Sequence, residues 1–293
     1  MAISTSLSTL NFQLSTSNSQ PLYGSVPRVR ARLDQILVER GLCASREKAK
    51  RAIMAGAVRV NGQVAAKASE SVRDADSVEL TAGDKFVSRG GHKLEHALDF
   101  FQIEVRGRTA IDLGASTGGF TDCLLQRGAA RVFAVDVGQG QLAWKLRQDP
   151  RVVVMEKTNA RSLTPEQVEA VARRTLAETD PPRSARLPTL AVDLVVIDCS
   201  FISLRKILPP AIALVRPLGN VVALIKPQFE AGKEEADRGA GVITDPAVHA
   251  RVLQELEQFV GKIAEVKWRG VVESPLLGPA GNKEFLVLIE KHG

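Results

Sequence analysis

The spacing of apolar residues changes character twice along the chain, and each change predicts a different kind of element. Residues 1–27 are rich in Ser, Thr, Asn and Gln, carry no charge and hold no periodicity, which predicts a disordered tail. From Arg32 the period becomes helical: Leu33, Ile36 and Leu37 recur at i, i+3 and i+4, and Gly41 stops the run. Ser45 reads as the N-cap of a second helix over 46–55, closed by Gly56, with Ala49, Ala52 and Ile53 as its apolar stripe. Val58 to Val64 then alternates around Asn61-Gly62, a strong hairpin signal. After Asp84 the stretch Phe86-Val87-Ser88-Arg89-Gly90-Gly91-His92-Lys93-Leu94 leads into a helix carrying Leu94, Ala97 and Leu98. Strand-like runs follow at 109–115, 131–137, 152–155, 192–198, 220–226, 264–272 and 284–290, with helical periods at 165–178, 204–215 and 247–260. The stretch 179–188, with three prolines, reads as a loop. The alternation predicts an α/β fold, a Rossmann-like doubly wound sheet of seven strands behind a small α+β domain. The boundaries are a tail over 1–27, the small domain over 28–84, a linker and first helix over 85–108, and the sheet domain over 109–293.

Composition narrows the classes. At 293 residues and 44% hydrophobic content the chain can bury one large core and one small one. No apolar run reaches the roughly 18 residues that span a bilayer, so a membrane-spanning role is not predicted. Cys43, Cys123 and Cys199 lie far apart without a C-x-x-C pair, which indicates neither a disulfide framework nor a zinc site and fits a reducing, cytoplasmic setting. A plastid is the alternative if the Ser/Thr-rich, acid-free tail is a transit peptide, although no Arg precedes Arg28. Charge is more telling when divided along the chain. Of 39 basic and 33 acidic groups, nine and three fall in residues 28–62, leaving thirty of each in 63–293. A localised surplus is the footprint of a polyanion, and nucleic acid is the leading partner. Arg46 and Lys50, one turn apart, and Arg32, Arg51 and Arg59 are the candidate RNA contacts. The order helix, basic helix, Val-Arg-Val-Asn-Gly hairpin resembles the S4 domain, an RNA-binding module.

The stretch from Thr109 to Asp122 reads Thr-Ala-Ile-Asp-Leu-Gly-Ala-Ser-Thr-Gly-Gly-Phe-Thr-Asp, a buried strand followed by a glycine turn into a helix. It lacks the Gly-Lys-Ser/Thr of a P-loop and the glycine spacing of the dinucleotide fingerprint, so a phosphate site is disfavoured. It resembles motif I of S-adenosylmethionine-dependent methyltransferases, which implies that Asp112, Gly114, Ala115, Ser116, Gly118, Gly119 and Phe120 surround the methionine end of that cofactor. Ligands of such sheets bind beyond the carboxyl ends of the strands. Asp136, ending the second strand, is placed to accept hydrogen bonds from ribose hydroxyls, and Asn159, after the third, to contact adenine. Asp198 ends the fourth strand and Lys226 the fifth, where Pro227 favours extended geometry at the lysine. Charges beside such apolar runs are costly unless paired or used.

Together, the S4-like segment, Val-Ser-Arg-Gly-Gly-His-Lys-Leu, the glycine loop, Ile-Asp-Cys-Ser-Phe-Ile-Ser-Leu, Ile-Lys-Pro-Gln-Phe-Glu and Gly-Pro-Ala-Gly-Asn-Lys-Glu-Phe-Leu resemble the TlyA (hemolysin A) family over about residues 30–290. That resemblance implies an S4 domain joined to an FtsJ-like methyltransferase that modifies cytidine 2′-oxygens of ribosomal RNA. It also implies a catalytic tetrad of Lys93, Asp198, Lys226 and Glu284, with Asp198 reaching the cofactor as well. The chemistry is consistent: a 2′-hydroxyl is a weak acid whose proton must leave or whose growing charge must be stabilised, and a lysine can do either, as amine or as ammonium. No metal is needed, because a sulfonium already activates the methyl group. Ribosomal RNA or a ribosomal subunit is the implied partner. Lys283, beside Glu284, departs from the family pattern. The competing readings are a non-enzymatic RNA-binding protein on a methyltransferase-like scaffold and a haemolysin-like membrane-acting protein.

Overall fold

In the N-terminal unit, which spans Met1–Gly83, two helices and short strands close over a small apolar cluster. The computed structural model describes residues 30–54, 57–65, 67–80, 85–179, 192–232, 235, 239, 241–278 and 280–293. The expected tail over 1–27, the last two residues of the second-helix reading (Ala55 and Gly56) and all of the proline-rich stretch but Thr179 lie outside them. Strand β1 (Ala31–Arg32) runs into α1 (Leu33–Glu39), and α2 (Arg46–Met54) follows, its Lys48 N–H donating to the Ser45 hydroxyl at 3.3 Å. Leu33, Ile36 and Leu37 meet Ala49 and Ile53 in the cluster, as the periodicity requires. Strands β2 (Val58–Val60) and β3 (Gln63–Val64) form the expected hairpin, with Asn61 at φ +49° and Gly62 at φ +79°. Both left-handed residues belong to the turn that matches strand twist. Strand β4 (Ser71–Val72) pairs with β1, and β5 (Val78–Leu80) pairs with β2.

The second unit, Asp84–Gly293, begins with α3 (Gly90–Phe100) and builds one seven-stranded sheet. Its strands are β6 (Thr109–Leu113), β7 (Arg131–Val135), β8 (Val152–Met155), β9 (Val192–Ile197), β10 (Val215–Ile225), β11 (Val266–Glu273) and β12 (Phe285–Lys291). The spatial order is β11-β12-β10-β9-β6-β7-β8. Strands β6 to β9 are almost wholly buried, because helices such as α4 (Gly119–Gln126), α5 (Pro165–Thr179), Leu208–Leu214 and Pro246–Val260 accompany the sheet and its residues fill two apolar clusters. After β6 the chain moves outward through β7 and β8, then returns to the other side of β6 with β9. The edge between β6 and β9 is thus the topological switch point.

Two departures from the sequence reading have clear causes. The helix expected over 204–215 divides into a 3-10 turn, Leu204–Lys206, and a helix, Leu208–Leu214, because Pro209 and Pro210 lack the N–H of a continuous ladder. The sheet is not wholly parallel, since β12 runs antiparallel to both β10 and β11. Only residues 274–284 join β11 to β12, too little chain for a helical crossover, so the strand returns as a hairpin.

Candidate active site

At the switch point the ends of β6, β9 and β10, the start of α3 and the start of β12 surround a cavity of about 620 Å³, within the range of small-molecule sites. Lys93, Asp198, Lys226 and Glu284 all line it. They come from four separate segments. Lys93 lies on the first turns of α3, one helical turn after Arg89, and its ammonium contacts the Glu284 carboxylate. Lys226 follows β10 in extended conformation, φ −113° and ψ 99°, as the following Pro227 favours. Its Nζ lies 2.6 Å from Asp198 Oδ1 and donates to the Ser200 hydroxyl at 2.8 Å. The site therefore holds two ion pairs of unequal burial. The Lys93 and Glu284 side chains are 9% and 1% exposed, while Asp198 keeps 25%. Glu284 reaches this edge because β12 is antiparallel: the pairing of Ile225 with Phe285 brings the start of β12 beside the end of β10.

The glycine loop serves packing as much as any ligand. A Cβ on Gly114, at φ +87°, would stand 2.8 Å from the Asp198 carbonyl oxygen, so the tips of β6 and β9 can approach only with glycine there. Gly118, at φ +97°, would push a Cβ into Leu146 and Leu142. Behind the loop Asp112 is fully buried: its Oδ2 accepts from the Thr121 N–H at 2.9 Å and the Thr121 hydroxyl at 2.7 Å, while its Oδ1 is buried without a partner. Burial pushes its carboxyl up to about 7 against the Thr121 hydrogen bonds, and the nearby charges of Asp198 and Asp136 add to the rise. An orphaned acceptor in a cavity wall suits a ligand that brings a cationic donor, and the amino group of S-adenosylmethionine is one.

Asp112, Gly114, Ala115, Ser116, Gly119, Phe120 and Asp198 line the cavity, whereas Gly118, Asp136 and Asn159 do not. Asp136 lies against the loop: its Oδ2 accepts from the Ser116 N–H at 2.8 Å and its Oδ1 from the Gly138 N–H at 2.7 Å. Asn159 is exposed, and its side-chain oxygen caps a 3-10 turn by accepting from the Arg161 N–H at 3.0 Å. Lys283 pairs with Glu273 at 3.1 Å and is not among the lining residues. Burial above all pushes the thiols of Cys199 and Cys123 up to about 12, which disfavours the thiolate at both.

Sequence reasoning missed Ser200, the second partner of Lys226, although the Asp-Cys-Ser-Phe motif contains it. It also missed Asn282, whose buried amide accepts from the Ile243 N–H and donates to the Gly241 carbonyl, both at 2.8 Å, and so ties two walls of the cavity together. In the N-terminal unit the structure gives four of the five candidate RNA contacts a local partner, two of them at a buried carboxylate. Arg32 and Arg46 lie 3.1 Å and 2.8 Å from the buried carboxylate of Asp34. Burial alone would raise that carboxyl, but the two guanidiniums outweigh it and hold it below the usual range. Lys50 makes an exposed pair with Glu47 at 3.0 Å, and Arg59 donates to the Gly62 carbonyl at 2.9 Å.

Among the described residues no helix is long and apolar enough to cross a membrane, and no three His, Cys, Asp or Glu gather as metal ligands. The FtsJ-like methyltransferase profile matches residues 86–291 and the S4 domain profile residues 31–78. The 16S/23S rRNA (cytidine-2′-O)-methyltransferase TlyA of Mycobacterium tuberculosis is 46% identical over 262 residues, 88% of this chain and 89% of the relative. Hemolysin A of Brachyspira hyodysenteriae is 38% identical over 87% of this chain and 98% of its own. A solved structure from Streptococcus thermophilus, described as a hemolysin candidate, superposes with a TM-score of 0.63 at 40% identity, covering 92% of this chain and 90% of that one.

Proposed function

The chain belongs to the FtsJ-like methyltransferase family, in the S4-bearing branch that includes the TlyA enzymes, and we propose that it methylates a cytidine ribose 2′-hydroxyl of ribosomal RNA with S-adenosylmethionine. The observation that carries this reading is the convergence of Lys93, Asp198, Lys226 and Glu284 on one cavity beside the orphaned oxygen of Asp112. When bound, S-adenosylmethionine supplies a methyl group activated by positive sulfur. Asp112 would hold its amino group, Asp136 its ribose, and the backbone of the glycine loop the rest of its methionine end. Lys226 faces the 2′-oxygen, its ammonium balancing the charge that grows there or, once deprotonated, its amine taking the hydroxyl proton, as the methyl group leaves sulfur for oxygen. Asp198 and Ser200 fix the direction of that ammonium, and Glu284 fixes Lys93. The basic module over 28–84 supplies the grip on RNA, with Lys50, Arg51 and Arg59 outside the Asp34 clamp.

Tritium transfer from labelled cofactor into ribosomal subunits, followed by nuclease digestion, tests the reading. Label on the cytidine ribose is the expected result. Label on a base, or none at all, overturns it, and calorimetry with the cofactor alone then separates a different methyltransferase from a binding scaffold.

A further inference from the structure

The loop after β9 carries Asp198, Ser200 and Phe201 into the site, yet its conformation is one that a bulky residue rarely takes. Phe201 has φ +63°, and the residue is 90% exposed at the cavity wall. Such a backbone persists only where the surroundings impose it. At the start of the loop the sheet does so, since the Asp198 N–H donates to the Leu113 carbonyl at 2.9 Å. At its far end the constraint comes from Glu230. That carboxylate accepts from the Leu204 N–H and from the Ser203 hydroxyl, each at 2.7 Å. Glu230 closes the short helix Pro227–Glu230, which begins directly after Lys226. Between the two anchors the rings of Phe201 and Phe229 meet with centroids 5.1 Å apart, and Lys226 reaches Asp198 and Ser200.

The loop of the ammonium and the loop of its partners are therefore joined by a carboxylate that touches neither the ammonium nor those partners. Burial raises the Glu230 carboxyl, while the Leu204 and Ser203 hydrogen bonds and the charge of Arg205 oppose the rise. A partly buried acid whose named donors all come from the facing loop is committed to holding that loop. We propose that Glu230 is a positioning residue for methyl transfer, clasping the loop after β9 to the loop after β10 so that Asp198 and Ser200 meet Lys226. The proposal rests on the 2′-O-methylation reading above.

Full-length Glu230→Ala and Glu230→Gln test it, with kcat and KM on ribosomal subunits, cofactor affinity by calorimetry, and hydrogen exchange over residues 199–206. Glu230→Ala is expected to lower kcat on the order of 100-fold, the scale of an ångström misplacement in a reacting geometry. Cofactor affinity is expected to fall by no more than about ten-fold, less than kcat, because only Asp198 of the cofactor residues lies on the clasped loop, and Asp112 and Asp136 do not contact Glu230. Exchange over 199–206 is expected to quicken. Glu230→Gln is expected to restore kcat to within about ten-fold of wild type, since its carbonyl can accept from Leu204 and its amide can donate to the Ser203 oxygen. Wild-type kcat and exchange in Glu230→Ala overturn the clasp. An equal loss of kcat, cofactor affinity and melting temperature, with no rescue by Glu230→Gln, overturns it in favour of a general structural role. If the wild type transfers no label to ribosomal RNA, the functional reading fails, and the exchange measurement still decides whether Glu230 holds the loop.

Discussion

In the N-terminal unit Arg32, Arg46 and Lys50 keep 48%, 51% and 43% of their side-chain surface in water, whereas Lys93 and Lys226 in the second unit keep 9% and 10%. The same residue types do different physical work in the two places. Exposed cations attract phosphates over distance, an attraction that salt weakens, and contribute little to stability unless, like Arg32 and Arg46, they cover a buried carboxylate. Buried cations must each have a carboxylate, and the pair is oriented instead of solvated. Within the second unit the two pairs also differ. Lys93 and Glu284 are both enclosed, while Asp198 opens to the cavity, so one pair is closer to scaffold and the other to chemistry.

The largest expected effect breaks that last distinction if it fails. Lys226→Ala is expected to lower turnover by about 10²–10⁴-fold, the usual worth of a positioned proton-transfer group, with cofactor affinity and melting nearly unchanged. Melting stays because the bared Asp198 can hydrate through its exposed face. A melting loss as large as that of Lys93→Ala would make the Lys226–Asp198 pair structural. For Lys93→Ala the order inverts: Glu284 loses its partner at 1% exposure, and breaking a buried pair typically costs about 3–5 kcal/mol. Calorimetric melting should then fall by roughly 6–20 °C for a unit of this size.

Asp112 sharpens the comparison by pH. Its folded pKa of about 7 lies above its unfolded value, so its contribution to stability is complete below pH ~4 and is lost as pH rises through about 7. Asp112→Asn is therefore expected to stabilise the protein by about 2–4 kcal/mol at pH 8, to change little at pH 4, and to weaken cofactor binding. Equal melting shifts at both pH values would show that burial does not set this group. Asp136→Ala is expected to weaken the cofactor roughly 10-fold by calorimetry, one charged hydrogen bond being worth about 1.5–3 kcal/mol. The smallest effect belongs to the exposed unit. Lys50→Ala with Arg51→Ala should flatten the salt dependence of RNA binding by about 0.7–0.9 in slope for each phosphate no longer neutralised, at unchanged melting. Arg46→Ala should lower melting as well, because it bares one side of the buried Asp34.

Much of this was legible along the chain where the cause is local. The Asn61-Gly62 turn, the Ser45 cap and the run 152–155 each form as their neighbours in sequence require. Asp136, Asp198 and Lys226 could be placed because a charge that ends an apolar run must stand at a strand tip, and Asp112, one residue inside β6, because its run leads into the glycine turn. Asp34 could not, since an acid inside a helical period carries no sign that Arg32 and Arg46 will enclose it. Ser200 and Glu230 were equally silent, because their partners belong to a different loop.

Side-chain period and backbone freedom alone set the elements, the glycine turn and the residues that terminate strands. The tertiary structure decided which charges meet. Glu284 immediately precedes β12, and in a wholly parallel sheet it would stand at the edge opposite Lys226. The short return from β11 forces β12 antiparallel, and the pairing of Ile225 with Phe285 then delivers Glu284 to the cavity edge, where the ammonium of Lys93 meets it. Strand direction depends on the path of the whole sheet, and that path alone brings Lys93 and Glu284, 191 residues apart, into contact.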